Sequence, residues 1–142
     1  MTTPREFLLE KLYDAYCLER KALRILSAAQ QVARLCPHVR ARLREHADET
    51  RWQSRLLEVC LENLGEKPKE RRLGWGLPPA HTGAALKRRE IAAYRAVITA
   101  AEAAGEPEIA AVGREILAQE LAMADWLENY LHPAAVSANA FT

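Results

Sequence analysis

His46 and Glu49 stand one helical turn apart within Arg44-Glu45-His46-Ala47-Asp48-Glu49-Thr50-Arg51-Trp52-Gln53. At that spacing an imidazole and a carboxylate share a helix face, where they can hydrogen-bond each other or bind a cation together. Three more carboxylates, Glu19, Glu90 and Glu120, each interrupt an otherwise apolar stripe. Lone buried carboxylates are rare, and several facing one another repel unless they are protonated, paired or coordinated to a cation. Oxygen and imidazole donors suit iron or manganese. The candidate metal ligands are therefore Glu19, His46, Glu49, Glu90 and Glu120.

Four helices must position these groups. Thr3-Pro4-Arg5-Glu6 is a helix start, with a threonine cap, proline at the first helical position and glutamate closing a capping box. The first helix is predicted to run to about Arg34, on a stripe of Leu8, Leu12, Ala15, Glu19, Ala22 and Leu26. Pro37 opens the second after a tight turn, and Gly65 can take the left-handed cap after Leu64. Its stripe is apolar at Val39 and Leu43 and again at Leu57, Cys60 and Leu64, but passes through His46, Glu49 or Thr50, and Gln53 in between. The third helix is predicted from a Thr82 cap to Ala104, with Leu86, Glu90, Ala93 or Tyr94, Val97 and Ala101 on one face. Pro107 opens the fourth, whose stripe is Ile109, Val112, Ile116, Glu120, Met123 and Leu127.

Between helices 2 and 3, Glu66 to His81 is too rich in proline and glycine for a continuous helix, and Trp75 and Leu77 are expected to pin it to the bundle surface. If this linker crosses back along the bundle, all five candidate ligands fall within a band of about two turns. If it made a hairpin, Glu90 would lie level with about Leu57 instead. Extended, a segment of this length reaches about 50 Å, enough to run the length of a helix. The predicted fold is thus all-α: an up-down four-helix bundle with a long crossover between helices 2 and 3, the ferritin-like connectivity. Residues 1–133 form the bundle, with the linker at 66–81, and 134–142 form a tail.

A metal-free reading stands beside the metal site. His46 can be a satisfied core histidine, and Glu49, Glu90 and Glu120 can turn to a seam edge and reach solvent or an arginine, with Arg20, Arg44, Arg88 and Arg89 near in sequence. Tyr16 and Tyr94, a turn from Glu19 and Glu90, can hydrogen-bond these carboxylates or fill space.

The rest of the composition bounds the function. A chain of 142 residues, 49% hydrophobic and 27% charged, is one domain able to bury a core. A net charge of +1 gives no reason to expect a nucleic acid or an anionic membrane as partner. Arg5, Glu6, Glu10 and Lys11 stand where a signal peptide needs its uncharged core, so a cytoplasmic location is expected. Cys17, Cys36 and Cys60 are isolated, without the spacing of a disulfide framework or a thiolate site. Trp52, Trp126 and the alanine-rich faces of helices 3 and 4 suggest a homodimer.

The chain resembles the YciE/YciF-type family of ferritin-like, stress-associated bacterial proteins. The resemblance rests on Asp14-x-Tyr16-x-x-Glu19, on His46-x-x-x-Thr50-x-x-Gln53-x-x-x-Leu57-Glu58 running to Leu64-Gly65-Glu66-Lys67-Pro68, and on Glu90-Ile91-Ala92-x-Tyr94 with the pattern around Glu120. It implies a dimeric ferritin-like bundle with a two-metal site. The chain departs from relatives in its short Trp75 linker and in Arg88, where many relatives have a histidine. Two functions are expected to compete: redox or metal handling with iron or manganese, peroxide or oxygen being a possible co-substrate, and a metal-free interaction protein acting as a helical dimer in the stress response.

Overall fold

The structure is a computed structural model that describes residues 2–32, 36–70 and 83–130. Four helices make up almost all of it: α1 (Pro4–Val32), α2 (Pro37–Asn63), α3 (Gly83–Ala103) and α4 (Pro107–Tyr130). The end signals act as the sequence predicts. The Glu6 amide donates to Thr3 Oγ1 at 3.1 Å, so the threonine caps α1. Gly65 takes a φ of 81° after α2, and the Glu66 amide reaches back to the Leu61 carbonyl at 2.9 Å. The Thr82 cap, the anchoring by Trp75 and Leu77 and the tail 134–142 lie outside the described residues.

Helix directions follow from which residues meet. Tyr16 bonds Glu58 and Arg5 bonds the Leu64 carbonyl, while Leu26 shares an apolar cluster with Leu43 and Ala47, so α1 and α2 are antiparallel. Leu86 packs with Leu18 and Ala22, and Tyr94 bonds Glu19, while Val97 and Ala101 join the layer of Leu8 and Leu12; α1 and α3 are antiparallel as well. Helices α2 and α3 therefore run parallel, as a crossover requires.

The first part of that crossover is visible. Tyr13 donates its hydroxyl to the Lys67 carbonyl at 2.9 Å, and Arg20 and Arg24 both pair with Glu70, at 3.3 and 3.0 Å. In six residues the chain thus climbs from the end of α2 to within side-chain reach of Arg20 and Arg24. These ion pairs are exposed and add little energy, but they mark the path.

Helices α3 and α4 approach closely at Gly113, where an added Cβ would stand 2.9 Å from Ile98 Cγ1. The core is layered. A large apolar layer, including Leu8, Leu12, Leu57, Val97 and Ile116, fills the end that holds the start of α1. Two smaller clusters, Leu18 with Ala22 and Leu86, and Leu26 with Leu43, Ala47 and Met123, lie toward the other end. On every helix the buried polar residues fall between the large layer and the last apolar residues toward the other end. Trp126 packs against the second small cluster, whereas Trp52 is exposed. All three cysteines are free, Cys17 and Cys60 buried and Cys36 exposed.

Candidate metal centre

Each seam delivers one acid to the gap between the layers. Glu19 of α1, Glu90 of α3 and Glu120 of α4 are all 0% exposed, and one oxygen from each lies within 4.8 Å of the others. Their surroundings hold them differently. The Tyr94 hydroxyl, itself fully buried, donates to Glu19 Oε1 at 2.6 Å. Lys87 Nζ donates to Glu120 Oε2 and stands 3.5 Å from Glu90 Oε1. Glu19 Oε2, both oxygens of Glu90 and Glu120 Oε1 have no hydrogen-bond partner.

His46 and Glu49 are attached to this triad but do not join it. His46 is buried, with Nδ1 2.9 Å from Glu49 Oε1 and Nε2 2.7 Å from Lys87 Nζ. Glu49 takes the seam-edge option open to it from the sequence: its side chain is 25% exposed and Arg42 lies 3.5 Å from it. The wider polar band continues through Thr50, which donates to the His46 carbonyl, and Gln53, which donates to Gln119 Oε1 at 2.8 Å. Tyr16 serves Glu58, so of the two tyrosines only Tyr94 holds a triad carboxylate.

Burial dominates the electrostatics. Removal from water, reinforced by Glu120, pushes Glu19 up to about 8 against the pull of the Tyr94 hydrogen bond. Glu90 is raised well above the ordinary carboxylate range by burial and by the charges of Glu19 and Glu120. His46 is lowered to about 2 by burial and by the nearby cations Lys87 and Arg42, so its ring is neutral. Burial alone would lower Lys87, but Glu90 and Glu120 outweigh it and hold its ammonium above the usual lysine value.

Lys87 is the residue that the sequence reading passes over. It stands three residues before Glu90, the offset of His46 from Glu49, yet the apolar stripe steps from Leu86 directly to Glu90. The spacing was a usable signal, because residues three apart share a helix face. Arg88, the position at which the family resemblance places a histidine, is exposed.

The free oxygens decide whether these residues fit a metal. Three carboxylates, buried between apolar layers and together offering four oxygens that accept no hydrogen bond, form an all-oxygen donor set of the kind that hard divalent cations take. A divalent ion fits that set.

A family model described as a domain of unknown function, DUF892, matches residues 3–74 and 80–140. The chain belongs to the DUF892 family. A crystal structure of a protein from Xanthomonas campestris pv. campestris is similar to this DUF892 chain at 32% identity, covering 94% of each chain with a TM-score of 0.82. Comparison with curated proteins gives no significant match. Among the described residues, no helix is long and apolar enough to cross a membrane.

Proposed function

We propose that this DUF892 protein is a ferritin-like bundle of the YciE/YciF type that holds iron or manganese on Glu19, Glu90 and Glu120 and serves redox or metal handling under stress, as a cytoplasmic homodimer. The observation that carries the reading is the imbalance of a buried cluster: three carboxylates with no exposure face one ammonium, and four of their oxygens accept no hydrogen bond. Isolated buried charges of that kind cost several kcal/mol each unless something compensates them. A divalent cation would supply the missing charge and take up the free oxygens.

Bound iron or manganese would contribute Lewis acidity and one-electron chemistry. The chain's own residues do the rest. Tyr94 fixes the orientation of Glu19 through a hydrogen bond, and Lys87 neutralises part of the charge on Glu120. The apolar layers on both sides exclude bulk water, which strengthens every electrostatic contact inside.

A metal-free network is the second reading, and one observation favours it. The Lys87–Glu120 pair is internally neutral, while burial drives Glu19 and Glu90 toward their protonated forms, so the cavity can be neutral without a metal. Mass spectrometry of metal content after expression in iron- or manganese-supplemented medium separates the two. Wild-type protein is expected to retain metal and a Glu19→Ala, Glu90→Ala variant to lose it. Wild-type protein that carries none, and whose melting temperature ignores added Mn²⁺, would leave the metal-free network and its interaction role.

A further inference from the structure

Two-metal bundles draw a Glu from each of two helices and a Glu-x-x-His pair from each of the other two; here α2 carries those residue types in the reverse order, His46 before Glu49. In this chain the pair on α2 is His46 and Glu49, and the matching positions on α3 hold Lys87 and Glu90. The lysine side chain turns inward. Its ammonium lies among groups from two other helices as well as its own: His46 Nε2 at 2.7 Å, Glu120 Oε2, and Glu90 Oε1 at 3.5 Å. An ammonium has three protons and no acceptor, and three acceptors surround this one.

A second divalent ion would need those same atoms. Transition-metal contacts to nitrogen and oxygen are about 2.0–2.2 Å long, so an ion bound by His46 Nε2 and Glu120 Oε2 would have to occupy the space of Lys87 Nζ. Glu49, the remaining member of a second ligand set, is turned to the edge, where Arg42 holds it. The oxygens that accept no hydrogen bond are Glu19 Oε2, Glu90 Oε1 and Oε2, and Glu120 Oε1, and of these Glu90 Oε1 also stands 3.5 Å from Lys87 Nζ. Glu120 is thereby divided, one oxygen held by the lysine and the other free.

We infer that the ammonium of Lys87 is a built-in cation standing in the place of a second metal, so that each chain takes one divalent ion, on Glu19, Glu90 and Glu120. This rests on the metal-handling reading and narrows it to a mononuclear site. The residue at position 87 sets the nuclearity.

Mn²⁺ titration of the full chain, followed by native mass spectrometry and electron paramagnetic resonance, tests this. Wild-type protein is expected to bind one Mn²⁺ per chain and to give the six-line signal of an isolated ion. Lys87→His, which completes a His-x-x-Glu pair on α3, is expected to bind a second equivalent and to give an exchange-coupled spectrum. Should the histidine variant not fold by circular dichroism, Lys87→Ala clears the same space without adding a ligand and is also expected to bind two. A wild-type protein with two coupled ions would overturn the inference while leaving the metal site standing. A folded position-87 variant that still binds one would overturn it too. A wild-type protein that binds none would overturn both it and the metal-handling reading.

Discussion

At Glu19 two influences oppose each other, since burial raises the carboxyl group and the Tyr94 hydroxyl lowers it, and burial wins. The folded value of about 8 lies above the ordinary 4.5, so the stability this group contributes is fully present below 4.5 and is lost as pH rises through 8. Glu90 acts in the same direction. His46 acts in the opposite one: its folded value of about 2 lies below the ordinary 6.5, so its contribution is present above 6.5 and is lost as pH falls toward 2. The melting temperature of metal-free protein is therefore expected to peak between about pH 4.5 and 6.5 and to decline on both sides. Glu19→Gln should flatten the alkaline decline, because a neutral amide has no proton to lose. Thermal melts of chelator-treated protein across this range check both points; a melting temperature that climbs steadily to pH 8 would contradict them. The three acids were legible from the sequence because each breaks an apolar stripe, which makes a carboxylate conspicuous. Lys87 was not, because a lysine near a helix start reads as a solvated charge, and its long stem can carry that charge either outward or into a core.

The helices themselves were the legible part of the fold. Their stripes repeat at three- and four-residue steps, and Pro4, Pro37, Pro107, Gly65 and Gly105 mark their ends, so the bounds agree within a residue or two. The parallel pairing of α2 and α3 was legible for a different reason: only a crossover brings the acids level, and the contacts of Tyr13, Arg20 and Arg24 follow that path. Packing between α3 and α4 was not legible, because how closely two helices approach depends on shape at particular contacts. At Gly113 the approach is tight enough that a methyl group would meet Ile98 Cγ1 at 2.9 Å. Overpacking of this kind costs roughly 1–3 kcal/mol. Since alanine would otherwise favour a helix, Gly113→Ala tests packing against propensity. Urea unfolding is expected to show net destabilisation, whereas a gain in stability would mean that the helices separate easily at this point.

At the scale of the whole molecule, the expected dimer has a candidate contact on α2. Trp52 is 55% exposed and Val59, seven residues on along the same side of α2, is 38% exposed. We propose that α2 carries a symmetric contact through Trp52. Sedimentation at micromolar concentration is expected to show twice the chain mass, and Trp52→Glu to shift the population toward the monomer. Wild-type protein sedimenting only as a monomer would end that proposal without touching the cavity. The proposed function depends on a cation residing among Glu19, Glu90 and Glu120. Crystals grown with Mn²⁺ and measured at an anomalous wavelength test this directly. An anomalous peak bounded by oxygens of those three residues is expected; full manganese occupancy elsewhere on the protein, with no peak between the three carboxylates, would contradict the proposed site.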